Sequence, residues 1–353
     1  MTWAEVLTGL VRGEDLSTAT SAWAMQQMLS GATTSAQMAA FVVALRAKGE
    51  SVDELTGLAD TMIEFATAID IPGPAVDVVG TGADRSNTVN ISTMAAIVAA
   101  AAGATVVKHG NRAASSACGA ADVLEALGVV IDLTPQQQQR VVADVGIGFL
   151  FAKQYHPALR HAAGVRSELG IPTTFNFLGP LANPAQPTAQ AVGVADERMA
   201  GLMAGVFAAR GHQGLVVHGG DGLDELSTTT TSTVWTFVDG AVTTSELDPQ
   251  ELGIAPATVA ELVGGGPDQN AAAVRAMVAG EPGPVRDIVA LNAAAALVAY
   301  AGPRPDQLVD DLGRELTRAY AAIDSGAAGR KLEQWIAATQ AQTQTKRPTA
   351  GVR

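Results

Sequence analysis

The sequence predicts an α/β protein: a small all-helical N-terminal domain, then a larger domain with a mainly parallel central sheet and helices around it. Three observations carry this expectation. Up to about residue 70, apolar residues recur at helical spacing without any strand-like run. From Ala75 onward, short β-branched runs alternate with longer helical stretches, the pattern of a parallel sheet wrapped by helices. Between the two regimes, Ile71-Pro72-Gly73-Pro74 punctuates the chain.

The elements follow in order. A helix is expected over 34–48, stopped at Gly49, where glycine tolerates a left-handed cap. Ser51-Val52-Asp53-Glu54 has capping-box spacing, and Leu55, Leu58, Ala59, Met62 and Ile63 follow on one helical face. Buried strands are expected at 75–79, 104–107, 148–151, 189–194 and 214–217. Helices are expected over 92–102 and over 134–145, the latter opened by Thr134-Pro135. Asp239-Gly240 between 234–238 and 241–244 signals a hairpin, hence one antiparallel edge. After Pro249 the chain reads as mostly helical, and the polar stretch 342–353 is expected to fray. The longest apolar stretches, 94–107 and 288–302, fall short of the roughly 18 to 20 residues of a membrane span and read as buried elements.

Length and composition bound the function. The 353 residues suffice for two domains, and 48 % hydrophobic against 16 % charged residues exclude a disordered chain. Twenty-two Lys and Arg against 35 Asp and Glu leave a net charge of −13, which repels nucleic acid and anionic membranes. An anion must therefore be held by a local device. One cysteine, Cys118, cannot form an intrachain disulfide, and residues 1–5 carry no export signal, so a cytoplasmic protein is expected.

Five segments carry candidate chemistry. Gly80-Thr81-Gly82-Ala83-Asp84 follows a strand, and its glycines let backbone amides converge on phosphate oxygens, although a tight connection alone would explain it equally well. It matches neither a Walker loop nor a dinucleotide fingerprint. Asn87-Thr88-Val89-Asn90-Ile91-Ser92-Thr93 precedes an apolar helix; Ser92 or Thr93 reads first as an N-cap, while Asn90 would bring an anion to the helix N-terminus. Lys108-His109-Gly110-Asn111-Arg112-Ala113-Ala114-Ser115-Ser116 sits after a strand, where ligands of open α/β sheets bind, and is the local anion device. Asp224-Glu225 in Gly222-Leu223-Asp224-Glu225 suits a magnesium ion, although a solvated acidic loop is the plainer reading of that segment alone. His156-Pro157 opens a helix bearing Arg160, His161 and Arg166, and an arginine fork fits a substrate carboxylate, although a surface helix arginine explains Arg160 equally well. Together they ask for a phosphorylated sugar diphosphate with magnesium beside a pocket for a small carboxylate.

These motifs, with the Arg166-centred run 165–184 ending in Phe175-Asn176-Phe177-Leu178-Gly179-Pro180-Leu181-Ala182-Asn183-Pro184, stand in the order and spacing of the anthranilate phosphoribosyltransferases, which the chain resembles over most of its length. The resemblance implies the nucleoside phosphorylase/phosphoribosyltransferase-like fold. Its helical domain would be 1–72, completed by about 165–185; its α/β domain 73–164 and 186–345; and 346–353 a flexible tail. It implies transfer of the phosphoribosyl group of phosphoribosyl pyrophosphate to the anthranilate nitrogen with release of pyrophosphate, the second step of tryptophan biosynthesis from chorismate. About two Mg2+ ions per subunit and a homodimer joined through the helical domain come with it.

Residue by residue, the resemblance assigns phosphoribosyl pyrophosphate to Gly80, Gly82, Ala83, Asp84, Thr88, Asn90, Ile91, Ser92, Thr93, Lys108, Gly110, Asn111, Arg112, Ala113, Ala114, Ser115, Ser116 and Ala120. Anthranilate falls to Gly80, Asn111 and Arg166, with His109, His156, Arg160 and Pro180 along its approach. Magnesium falls to Ser92, Asp224 and Glu225, and Lys108, Asp224 and Glu225 would act electrostatically, with no certain acid–base residue. The chain departs from the usual pattern at Ala83, where a glycine is common, and at Cys118 and Ala120, where hydroxyls or glycine are. A pyrimidine nucleoside phosphorylase of the same fold shares the lysine and double serine, but Asp224-Glu225 and the Arg166 segment favour the transferase.

Overall fold

The computed structural model describes residues 1–82, 84, 86–113 and 117–344. Four helices open the chain: α1 (Trp3–Val11), α2 (Thr18–Leu29), α3 (Ser35–Lys48) and α4 (Val52–Glu64). The local signals act as expected. Thr34 and Gln37 form a capping box at the start of α3, Gly49 ends it at φ 92°, and Ser51 and Glu54 box the start of α4.

Seven strands form one sheet: β1 (Val76–Gly80), β2 (Val106–Gly110), β3 (Ile147–Phe151), β4 (Ala189–Gly193), β5 (Gln213–Gly219), β6 (Ser232–Val238) and β7 (Ala241–Leu247). Their order is β3-β2-β1-β4-β5-β6-β7, the first five parallel and the last two antiparallel. Asp239 and Gly240 turn the hairpin with φ of 53° and 76°. Several strand ends differ from expectation by two or three residues, and one of these bears on the site. Strand β2 runs to Gly110, past the expected end at Val107, so Lys108 and His109 are strand residues, 1 % and 3 % exposed. Polar side chains end a strand pattern by eye, but a buried strand keeps them where partners are supplied.

Helices cover both faces: α5 (Ile91–Ala101), α6 (Ala120–Leu127), α7 (Pro135–Val145), α8 (Ala152–Tyr155), α9 (Arg160–Leu169), α10 (Phe175–Leu181), α11 (Glu197–Ala209), α12 (Val259–Leu262), α13 (Pro267–Val278), α14 (Pro284–Ala301), α15 (Leu308–Asp324) and α16 (Ala327–Gln344). One core joins Val76, Val78 and Val106 to α5, α14, α15 and α16. The other joins Val79, Val192 and Val216 to α1–α4 and α9–α11. Helix α14 is long and apolar enough to span a membrane by length and composition, but its residues 288–299 are buried in the first core. Residues 342–344, expected to fray, continue α16, and 345–353 lie outside the described residues.

One buried acid positions the helical layer over the site. Glu50 accepts from Thr174 Oγ1 at 2.7 Å and pairs with Arg46 and Arg198, tying α3 and α11 to the residue that precedes α10. A buried carboxylate is tolerable only when satisfied in this way.

Candidate active site

Strand β1 lies at the point where the sheet order reverses: β2 and β3 extend to one side of it and β4 and β5 to the other. Crevices in open α/β sheets form at the carboxyl ends of strands there. A cavity of about 330 Å3 opens at that place, lined from β1, β2, α5, α6, α9, α10 and the loop after β5.

Along its phosphate side the walls are built around two glycines. A Cβ on Gly80 would stand 2.2 Å from Asp224 Oδ2, and one on Gly193 would stand 1.5 Å from the Asp224 carbonyl oxygen. Only glycine at both strand ends lets the loop 223–225 lie across them. Asp224 is 8 % exposed and accepts the Gly82 amide at 2.7 Å. The solvated acidic loop is thereby overturned. Burial and then the neighbouring Asp84 push the Asp224 carboxyl up to about 7, while burial and Asp224 push Glu225 upward. Lys108 donates to the Val78 carbonyl and, at 3.1 Å, to Ser92 Oγ; burial lowers its pKa, and Asp77, Glu225 and Asp224 oppose that shift.

Ser92 and Thr93 are not N-caps. Asn90 holds the cap position of α5 without capping it, since its amide donates to the Cys118 carbonyl at 3.0 Å and its oxygen accepts from Asn270 at 2.8 Å. Asn90 thus leaves the N-terminus of α5 uncapped beside the cavity, where positive potential favours an anion, while the Glu225 carboxyl accepts the Ser92 amide. The Asn270 oxygen also accepts the Gly265 amide at 2.7 Å, and Val89 N donates to the Leu262 carbonyl, so the segment after α12 cradles the loop before α5. Asn270 was not among the expected residues, because it lies in no motif and its partner Asn90 is 180 residues away in sequence.

The metal test rests on donor chemistry. Ser92, Asp224 and Glu225 offer only oxygen, and burial, then the crowding of Asp84, Asp224 and Glu225, holds the Asp224 and Glu225 carboxyls toward neutrality, a state that a cation would reverse. Among the described residues no group of three or more His, Cys, Asp and Glu makes a self-sufficient metal site. Such residues fit magnesium, which keeps waters and takes substrate phosphates.

On the opposite side, Arg166 is half-buried and stacks over Phe175 at 5.5 Å, and among the described residues its guanidinium has no hydrogen bond or ion pair. Burial lowers its pKa, which marks an uncompensated cation facing the cavity. His109 Nδ1 lies 3.0 Å from the Gly179 carbonyl and His156 Nε2 2.9 Å from that of Ala182, so each of these nitrogens carries the proton. Burial, then His156, push His109 down to about 3, so it is neutral and Nε2 is its open lone pair.

Nearly all the expected residues meet here: Gly80, Gly82, Asp84, Thr88, Asn90, Ile91, Ser92, Lys108, His109, Gly110, Asn111, Arg112, Ala113, Ala120, His156, Arg166, Pro180, Asp224 and Glu225 line the cavity. Two do not. Thr93 is buried, with its hydroxyl unpartnered, on the core side of α5, and Arg160 is exposed, its guanidinium donating to the Pro157 carbonyl at 3.0 Å. Helical rotation separates Arg160 from Arg166 in a way that their shared helix conceals. Arg112 lines the cavity with its charge held by Asp122 and Glu125 at 2.9 and 2.5 Å. Ala83, Ala114, Ser115 and Ser116 lie outside the described residues. The sequence reading gave no site role to Met62, Val79, Phe175, Asn176 and Gly179, which also line the cavity; four carry only packing or backbone, and the Asn176 amide oxygen is taken by the Thr173 amide at 3.0 Å.

A helical bundle laid on an α/β sheet, with a cavity at the switch point that gathers Lys108, Asp224, Glu225 and Arg166, is matched by family models of glycosyl-transferring proteins. The family described as glycosyl transferase family, a/b domain, matches residues 72–329, and its helical bundle domain matches 4–66. The chain is 58 % identical over 339 residues to the anthranilate phosphoribosyltransferase of Acidothermus cellulolyticus, covering 96 % of each. It superposes with a TM-score of 0.88 on that of Thermus thermophilus, at 39 % identity over 95 % of this chain and 99 % of that one. The Saccharomyces cerevisiae protein in complex with PRPP and Mg gives 0.86 at 27 % identity, covering 96 % and 98 %. The chain belongs to the anthranilate phosphoribosyltransferase family.

Proposed function

We propose that this chain transfers the 5-phosphoribosyl group of phosphoribosyl pyrophosphate to the amino nitrogen of anthranilate, giving N-(5-phosphoribosyl)anthranilate and pyrophosphate. The observation that carries it is the free Arg166 guanidinium in the same cavity as Lys108, Asp224 and Glu225. The relatives bear the name of this activity, and one is solved with PRPP and Mg.

In this reading the C1–oxygen bond to diphosphate breaks, the nitrogen–C1 bond forms on the opposite face, and the nitrogen loses one proton. Gly80 and Gly82 and the uncapped N-terminus of α5 bind the phosphorylated sugar, and Lys108 lends charge to the leaving group, where preorganised electrostatics lowers the barrier. Arg166 takes the carboxylate, and Asn111, His109, His156 and Pro180 hold the ring, so that positioning replaces a strong base for a nitrogen that is already neutral. Ser92, Asp224 and Glu225 would hold Mg2+, about two ions per subunit, which when bound neutralises the departing diphosphate. The same proposal includes a cytoplasmic homodimer joined through the helical part, where Val11 and Val43 are 80 % and 39 % exposed.

Anthranilate fluorescence tests it directly. Purified protein should consume anthranilate only when phosphoribosyl pyrophosphate and Mg2+ are both present. Folded protein that consumes none, or that instead cleaves thymidine with phosphate, overturns the reading.

A further inference from the structure

Strands β1 and β2 are neighbours, yet only Val76 and Val106 stand in register between them, whereas β1 and β4 pair over five residues. Past Val76, side chains replace the ladder. Asp77 Oδ1 accepts the His109 amide at 3.1 Å, and Lys108 Nζ donates to the Val78 carbonyl. Asn183 Nδ2 then donates to Asp77 Oδ2 and to the Val107 carbonyl, each at 2.8 Å, and its own oxygen accepts the Ala185 amide at 2.9 Å. Asp77 is 0 % and Asn183 3 % exposed.

Asn183 stands just past α10, and α10 carries the aromatic wall of the cavity, with Phe175, Asn176, Gly179 and Pro180. The same segment offers the Gly179 carbonyl to His109 Nδ1 and the Ala182 carbonyl to His156 Nε2. One amide therefore ties this wall to the strand floor from which His109 projects. A buried carboxylate–amide pair is costly, since burial pushes Asp77 up to about 6, and an apolar pair of similar shape would be less so. What the polar pair adds is direction, because its bonds admit one spacing of wall and floor.

We propose that Asn183 and Asp77 form a positioning pair for the aromatic half of the site, holding α10 against β2 so that the His109 ring keeps its Nδ1–H form and the ring pocket its width. Neither residue lines the cavity. The proposal rests on the transferase reading for its kinetic arm only.

The test uses the full chain with Asn183→Ala and Asn183→Ser, the serine keeping one donor. The Michaelis constant for anthranilate should rise about five- to tenfold in Asn183→Ala, the order of one to two lost hydrogen bonds, and less in Asn183→Ser. That for phosphoribosyl pyrophosphate should stay within about twofold, because the phosphate side is braced separately. In protein labelled with 15N-histidine, the His109 ring should show a protonated Nδ1 in the wild type and lose that signature in Asn183→Ala. Equal rises for both substrates, or an unchanged ring signature in both variants, would overturn the proposal. The ring signature needs no turnover, so a wild type without transferase activity would fail the functional reading and leave this arm standing on its own result.

Discussion

The two flanks of β1 show two ways of building a site floor. Toward β4 the backbone ladder is complete to Gly80 and Gly193, and what the site receives is a shape: two strand ends without side chains, over which Asp224 lies. Toward β2 the ladder opens after one pair, and the floor is made of Asp77, Lys108 and Asn183 bonding to backbone. The first flank tolerates no added atom, while the second tolerates exchange as long as donors and acceptors stay matched. Steric exclusion therefore governs the β4 flank and directional bonding the β2 flank, where Lys108 faces the phosphate end and His109 the aromatic end.

On this division, the largest effect should come from the ladder flank. Gly193→Ala drives a Cβ into the Asp224 backbone, so the loop 223–225 must move by an ångström or more. Steady-state kinetics should show activity falling on the order of a hundredfold, as such displacements of catalytic groups do. Near-normal activity would mean that the glycine is incidental and the comparison empty. The Asn183 variants described above probe the other flank and should cost several times less.

A smaller effect is expected from Asn270→Ala. It removes the bonds to Asn90 and to the Gly265 amide, behind the phosphate side. Titration with phosphoribosyl pyrophosphate should show binding weakened about threefold to tenfold, the value of one or two hydrogen bonds, with anthranilate affinity unchanged. A loss confined to anthranilate would break the division between the halves.

The last effect concerns acid and touches stability alone, not catalysis. His109 is held down at about 3 by burial, below its unfolded value of about 6.5. A depressed histidine contributes full stability above the unfolded pKa, and loses it as pH falls from about 6.5 toward 3, by at most about 1.4 kcal/mol per pH unit. Chemical denaturation between pH 7 and 5 should therefore show a shallower loss for His109→Gln than for the wild type. Parallel slopes would place water at the ring and weaken the picture of a dry aromatic side.

Much of the site was legible because glycine, lysine and paired acids at strand ends have few structural reasons to stand together. Gly80, Gly82, Asp84, Asn90, Lys108 and Asp224-Glu225 stand out in the sequence and line the cavity. The misread places have a common cause. Lys108 and His109 read as loop because polarity suggests exposure, and Ser92 reads as a cap because its partner, Lys108, lies on strand β2, outside its own helix. Asp77 passed as a strand residue and Asn270 as a helix residue, since neither reveals in one dimension what it bonds to.

Periodicity, caps and turn chemistry are local in the chain, so the helices of the N-terminal part and the seven strands with their parallel-to-antiparallel change follow from the order of residues. Which polar groups are dry, and whom they satisfy, was settled by folding in three dimensions. Arg166 faces the cavity while Arg160 faces solvent, and Asp224 is buried against glycines that lie far from it in sequence. The reason is that hydrogen bonding and desolvation depend on neighbours in space, and these exist only after the sheet has closed over its helices.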